Sequence, residues 1–391
     1  MNNNKRIPLI SQHSSWISLD PIQGCPFSCS YCYLKPLGLA PKRSKVISSN
    51  PKKIYSQLIN YRFFNKQVFT SAPLIAHAPI AIGNYTDMCM NERNRGFLIS
   101  LLVQHKKVIP HIPVCILTKS ILDKKFLEVL NNLNIKICIF ISISFLPNEF
   151  ENDIPSPDKL LENFKLVSEF QNIKSIHWWR PFTSISVKDY SYGEKQIEQL
   201  IKYRASCSVI IGLAYGEKLK NEFLNDRNPF SRFFIDKCKQ YSKTHMILEA
   251  NILKKILDIA KKKSYTILKS TSCAISLQLG HPCYNARFRK MHYFKNCLAS
   301  TCPSFQKKMC YKIGSSYKIP SRSLLDELAK FLNIDRKVIK FNKSLDAILI
   351  DSVLDHEQQS FLTQSASFPI LAKKINPFLE WMDDWRNLWP S

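Results

Sequence analysis

The chain contains no run of 18 or more apolar residues, so the sequence offers nothing to span a membrane. Its opening stretch, MNNNKRIPLISQHSSW, has no apolar segment of the kind a secretory leader needs. A cytoplasmic protein without a membrane partner is the expectation. Acids are scarce: 30 Asp and Glu stand against 56 Lys and Arg in 391 residues, a formal net charge of +26. A compositional bias toward lysine explains the preference for Lys over Arg but not the shortage of acids. The imbalance favours polyanionic partners, nucleic acid before an anionic membrane surface. No internal repeat and no low-complexity linker is present, so a repeat array is excluded. A disulfide scaffold is also excluded, because the 13 cysteines are odd in number and clustered in a long chain. Reduced thiols, some of them metal ligands, fit better.

What is present reads as globular, with 45% hydrophobic and 12% aromatic residues. Short apolar runs at 16–20, 74–83, 113–118, 136–144, 175–180 and 207–216 predict strands. Helical patterns near 51–66, 91–107, 121–132, 157–171 and 193–205 lie between them. That alternation predicts a parallel sheet covered by helices, an α/β fold closing as a partial (β/α)6 barrel. Reactive residues then belong at the C-terminal ends of the strands. Residues 1–216 form this predicted domain. From 217 to 315 the rhythm changes to Lys-rich helices (229–242 and 247–262), a strand-like YTILKS at 265–270 and a Cys-rich segment. Residues 316–391 read as a small C-terminal α/β domain with a helix SLLDELAKFLN, an apolar run DAILIDSVL and a terminal helix. In that last helix Phe378, Trp381, Trp385 and Trp389 share one face, a stripe suited to packing on the body of the protein.

The most specific signal is GCPFSCSYCYLKP at 24–36. Cys25, Cys29 and Cys32 lie together, with Tyr31 before the third and no fourth ligand beside them. Structural zinc takes four ligands, usually as two pairs. A cubane of four irons and four sulfides is normally held by four cysteines, so three leave one iron open. The loop follows a predicted strand, and this C-x3-C-x2-C spacing resembles the signature of radical S-adenosylmethionine enzymes. The order of GNYTDMCMNE (83–92), LTKS (117–120) and ISISF narrows the resemblance to spore photoproduct lyase and the DNA repair photolyase-like group, over residues 15–216.

The resemblance implies that Cys25, Cys29 and Cys32 hold a 4Fe-4S cluster whose free iron chelates S-adenosylmethionine. One electron, delivered by a donor such as flavodoxin or ferredoxin, then yields a 5′-deoxyadenosyl radical that abstracts hydrogen. It places Tyr31 by the adenine, and Thr86 and Asp87 by the methionine ammonium. Lys119 falls by the methionine carboxylate, with Ser142 or Ser144 adding a hydroxyl, and Arg180 reaches that carboxylate or a substrate phosphate. In spore photoproduct lyase a cysteine before the Tyr-Thr-Asp segment returns a hydrogen atom to the product. Asn84 stands at that position, and an amide is a poor donor of hydrogen atoms. Cys89 and Tyr85 are the replacements at hand, although Cys89 also fits a small buried apolar role.

A second group, Cys273, Cys283, Cys297, Cys302 and Cys310, mixes with Arg, Lys and aromatics. Cys283, Cys297, Cys302 and Cys310 are the expected ligands of a second iron–sulfur cluster or a zinc, and Cys273 or His281 is able to replace one of them. Free thiols in a small core are the alternative. Cys89, Cys115, Cys138, Cys207 and Cys238 read as core filler. RFRKMHYFK at 287–295 has the composition to neutralise phosphates and stack on bases, or equally to form a solvated basic face.

The expected function is therefore radical chemistry on a nucleic acid or nucleotide, as repair or modification. Two alternatives stay open: radical modification of a peptide with the help of an auxiliary cluster, and a non-enzymatic zinc-containing nucleic-acid-binding protein.

Overall fold

A computed structural model describes residues 8–35, 38–39, 44–64, 68–72, 77–214, 228–233, 246–268, 270–285, 301–315, 319–344, 347–366 and 368–374. Cys238, Cys297, the 287–295 stretch, most of 229–242 and the Trp-striped terminal helix lie outside these residues.

The strands in chain order are β1 (Ile10–Gln12), β2 (Ile17–Leu19), β3 (Ile22–Gln23), β4 (Lys45–Val46), β5 (Ile80–Ile82), β6 (Val114–Thr118), β7 (Ile137–Ser142), β8 (Ile173–Phe182), β9 (Ser208–Ala214), β10 (Met246–Ile247), β11 (Ile267–Leu268), β12 (Ile339–Asn342), β13 (Ala347–Val353) and β14 (Ile370–Lys374). The main sheet runs β1-β2-β5-β6-β7-β8-β9-β10, with β11 also on β9. From β2 to β9 all pairings are parallel, and these are the six strands expected from the apolar runs. β1 and β10 add antiparallel pairings at the two ends, which their short segments do not announce.

The crossovers are helical: α1 (Pro51–Ile59), α2 (Glu92–Val108), α3 (Lys124–Asn132), α4 (Pro157–Val167) and α5 (Tyr190–Lys202). Local chemistry starts them. The side chains of Asn91, Asp123 and Asp189 each accept an N–H from the first turn of α2, α3 and α5. α1 stops at Ile59, short of the expected 66, because Tyr61 and the buried Phe63 leave the helix to pack on the C-terminal sheet.

Side-chain alternation makes two cores. Val114, Ile116, Ile137, Ile139 and Ile141 face the helices, while Cys115, Cys138, Phe140, Ile176 and Trp178 face the lumen. Each buried Ile side chain contributes about 1.5–3 kcal/mol, and a one-residue slip would exchange the faces, so the register is strongly fixed. Three aromatic rings fill the middle of the lumen. Trp16 lies 5.9 Å from Phe140 and 6.4 Å from Trp178, and Phe140 lies 5.9 Å from Trp178, all edge to face.

Beyond the barrel come α6 (Ala250–Lys262), α7 (Thr271–Leu279), α8 (Ser304–Ser315), α9 (Arg322–Leu332) and α10 (His356–Ser365). β12, β13 and β14 make a separate three-stranded sheet whose core includes Leu324, Leu328, Phe361 and Ile370 together with Phe63 and Phe69. The apolar run 346–354 is the middle strand of this sheet. α10 docks on β1: Glu357 Oε1 accepts from the Gln12 backbone N–H at 2.9 Å and from the Tyr61 hydroxyl at 2.6 Å, and Gln364 Nε2 donates to His13 O at 2.7 Å.

No described helix is long and apolar enough to cross a membrane.

Candidate active site

The C-terminal ends of the strands open into a cleft with about 840 Å³ of free space, part of it open to solvent. Cys25, Cys29 and Cys32 line it from one side, with Tyr31 and Tyr33. The strand ends line it from the other, through Asn84, Thr86, Asp87, Lys119, Ser142, Trp178 and Arg180. Residues from positions 25 to 214 thus meet in one concavity.

The cysteine loop is tied to the strand ends by backbone bonds. Gly24 N–H donates to Tyr85 O at 2.9 Å, and Ser44 Oγ to Gly24 O at 3.1 Å. The Tyr33 hydroxyl donates to Asn84 O at 2.6 Å, and Asn84 Nδ2 donates to Ser18 Oγ at 2.7 Å. Gly83 turns the chain at φ +86°, and a Cβ there would lie 2.5 Å from Met88 Cγ. Only glycine fits that turn, which sends Asn84 and Thr86 toward the cleft.

Asp87 lines the cleft, yet its oxygens are fully engaged. They accept from Cys89 N at 2.8 Å, Lys119 N at 2.7 Å, Thr118 Oγ1 at 3.0 Å and Ser120 Oγ at 3.1 Å. Burial pushes its carboxyl up, and these donors work against the rise. Asp87 therefore clamps the ends of β5 and β6 together.

Lys119 extends into the cleft and pairs with Glu151, Nζ to Oε1 at 2.5 Å. Glu151 follows a 3-10 turn at Asn148–Phe150 and is 9% exposed. It also accepts from the Tyr31 hydroxyl and from Ser144 Oγ, the latter at 2.6 Å. Burial opposes the charge on Lys119, but the Glu151 carboxylate beside it outweighs that and holds the ammonium above its usual range. Glu151, which holds Lys119, Tyr31 and Ser144 from outside the cleft lining, was not singled out from the sequence. The only trace was an acid in a loop-like stretch, with nothing to link it to a lysine 32 positions earlier.

Of the other expected residues, Tyr31, Thr86, Ser142 and Arg180 line the cleft. Arg180 lies over the Tyr33 ring at 5.0 Å and the Trp178 ring at 5.1 Å, which keeps its guanidinium against the wall. Ser144 is fully buried behind Glu151 and is not part of the wall. Cys89 and Tyr85 are also outside the wall. Cys89 packs with no exposure in the helix-side core, because its N–H turns back onto Asp87. Tyr85 is half-buried, and burial together with the nearby Asp20 carboxylate pushes its phenol up to about 12.

Among the described residues no three His, Cys, Asp or Glu side chains close around a single metal ion. A cubane takes one thiolate per iron, so three thiols lining one cleft would hold three irons and leave the fourth open. Burial pushes Cys25 and Cys29 up to about 12 and raises Cys32, while Lys119 draws Cys29 back and Arg180 draws Cys32 back. Metal binding takes thiolates, and Arg180 and Lys119, the latter paired with Glu151, lie near these sulfurs. Trp178 lines the cleft, and its indole N–H is buried without a partner among the described residues. The donor set therefore fits an iron–sulfur cluster with one open corner and an anionic ligand beside it.

This chain is similar to several solved structures at low sequence identity. Spore photoproduct lyase with bound AdoMet and dinucleoside spore photoproduct is 17% identical, with 63% of this chain and 73% of that chain covered at a TM-score of 0.44. SuiB of Streptococcus suis bound to S-adenosylmethionine is 12% identical, with 72% and 56% covered at 0.41. The methyltransferase TsrM of Kitasatospora setae, with tryptophan substrate and a SAM analogue, is 10% identical, with 54% and 39% covered at 0.36. No family model matches the sequence, and no curated relative does.

The second cysteine group is in part described. Cys273, Cys283, Cys302 and Cys310 gather in the lumen-side core with Cys115, Cys138 and Cys207, while Cys297 lies outside the described residues.

Proposed function

We propose that this chain is a radical S-adenosylmethionine enzyme that abstracts a hydrogen atom from a nucleic acid or nucleotide. The observation that carries the reading is the convergence of Cys25, Cys29 and Cys32 with Lys119, Arg180 and an unpartnered Trp178 N–H in one cleft at the strand ends.

Cys25, Cys29 and Cys32 hold a 4Fe-4S cluster in this reading. When bound, the cluster and S-adenosylmethionine supply a carbon-centred radical, at the expense of one electron from a flavodoxin- or ferredoxin-like donor. The chain's own residues do the rest. Lys119 and Arg180 present positive charge to the methionine carboxylate or a substrate phosphate. Trp178 and Ser142 offer hydrogen bonds within the wall, and Tyr31 lays an aromatic edge along it. Asp87 keeps β5 and β6 in place and leaves the ammonium to other acceptors.

The net charge of +26 supports a polyanionic substrate. Asn84 in place of a hydrogen-donating cysteine, with Cys89 sealed in the core, favours an outcome other than the spore lyase reaction. Anaerobic reconstitution of wild type and Cys29→Ala tests the proposal. Wild type is expected to form 5′-deoxyadenosine, faster with DNA or RNA present, and the variant to form none. Stimulation by a peptide and not by nucleic acid would move the substrate to the peptide class. Zinc in the loop and no cleavage at all would overturn the radical reading.

A further inference from the structure

The cleft occupies one end of the lumen. The other end, beyond Trp16, Phe140 and Trp178, is unusually rich in sulfur. Cys115 and Cys138 are register partners near the N-terminal ends of β6 and β7, and Cys207 immediately precedes β9. Against this end pack α7, the 281–285 segment and α8, which bring Cys273, Cys283, Cys302 and Cys310 into the same cluster.

The surroundings of these four are built. Cys283 is 2% exposed and Cys273 9%. The Cys283 backbone N–H donates to Cys310 Sγ at 3.3 Å, and Gln306 Nε2 approaches the same sulfur at 3.7 Å. Donors of this kind favour a thiolate over a thiol. The segment carrying Cys283 is fixed on both sides: the Tyr284 hydroxyl donates to Ser15 O, and Asn285 Nδ2 to Ser14 O at 2.7 Å. One helical turn past Cys273, the fully buried Ser276 hydroxyl has no partner among the described residues. A buried hydroxyl with nothing to bond is costly, and an acceptor in the adjoining space would satisfy it.

We infer that Cys273, Cys283, Cys302 and Cys310 ligate a second iron–sulfur cluster at the lumen end opposite the cleft, with Ser276 as a donor to its sulfur. This chooses Cys273 over Cys297, which the sequence spacing alone had favoured, because Cys273 is seated in the lumen core beside the other three. A single zinc is the other group that four thiolates take, and metal analysis separates the two. The inference does not depend on the radical chemistry of the cleft.

The test removes the first site and keeps the second. The full chain carrying Cys25→Ala, Cys29→Ala and Cys32→Ala is reconstituted anaerobically, and iron, sulfide and zinc are measured with the visible spectrum. About two to four irons and as many sulfides should remain, with a brown chromophore. Adding Cys283→Ser and Cys310→Ser, or Cys273→Ser alone, should abolish or deplete them, whereas adding Cys297→Ser should leave them unchanged. A natively folded triple variant without iron, or with one zinc, overturns the proposal, and so does iron lost with Cys297→Ser and retained with Cys273→Ser. Should the triple variant not fold, Cys283→Ser with Cys310→Ser in the wild-type loop decides: iron falling to the content of one cluster supports the site, and unchanged iron overturns it. Because the loop cysteines are absent from the main measurement, its failure leaves the cleft reading intact.

Discussion

Lys119 and Glu151 form a buried ion pair, 2.5 Å between Nζ and Oε1, that ties the end of β6 to the loop after β7. Both side chains are largely buried, 15% and 10% exposed. Glu151→Ala should leave the ammonium buried without a partner and cost about 3–5 kcal/mol. The pair Lys119→Met with Glu151→Leu should regain most of that loss. Urea unfolding of the three variants measures it. Equal losses in the single and double variants would show that the pair contributes little beyond packing.

Cys29→Ala should lose the iron of the loop while keeping its thermal midpoint within a few degrees. The loop is held to the strand ends by Gly24 N–H and the Tyr33 hydroxyl, and neither bond needs a sulfur. Iron analysis beside a melting curve checks this. A variant that unfolds outright would mark the loop thiols as structural.

Trp178→Phe should leave stability unchanged or slightly improved, because it removes a buried N–H that has no partner. The same change should weaken S-adenosylmethionine binding several-fold, measured by calorimetry on the reconstituted protein. Unaltered affinity would place that indole away from the ligand.

Acid should destabilise the fold through two histidines. Burial lowers His177 to about 3 and His105 to about 4. His177 bonds Ser208 Oγ at 2.7 Å and Ile143 O at 3.0 Å, and His105 bonds Tyr55 and Ile112 O. A base whose folded pKa is depressed contributes stability that is complete above its unfolded pKa, near 6.5, and that is lost as pH falls toward the folded value. The urea midpoint should therefore drop steadily from pH 6.5 to 4, and His177→Gln should flatten that slope. A slope unchanged by the substitution would assign the acid sensitivity to other groups.

Nucleic-acid affinity should fall with salt. If Lys and Arg neutralise several phosphates, log K should decline against log salt with a slope of about −0.9 per contact on duplex DNA. Filter binding at three ionic strengths measures the slope, and a flat line would remove the electrostatic argument for this partner.

The six barrel strands were legible in the sequence because runs such as KICIFISIS are buried on both faces and so continuously apolar. The cysteine loop and the strand-end residues Thr86, Asp87, Lys119, Ser142 and Arg180 were legible through motif order. The hydrogen bonds around them were not: four donors from 89, 118, 119 and 120 converge on the Asp87 carboxylate only in three dimensions. Glu151 was invisible because a loop acid has no periodic signature. β12 to β14 escaped as a sheet because only the middle strand is long and apolar, and its partners are set by long-range pairing.

The docking of α10 on β1 has a further consequence. β1 ends the main sheet, so its outer backbone groups would stand open as a template for a strand from another molecule. Glu357 occupies the Gln12 N–H and Gln364 the His13 carbonyl, so two side chains from the far end of the chain do the work of a missing neighbour strand. Shortening the protein ahead of residue 356 would uncover that edge, and the shortened chains should stick to one another long before their barrels melt.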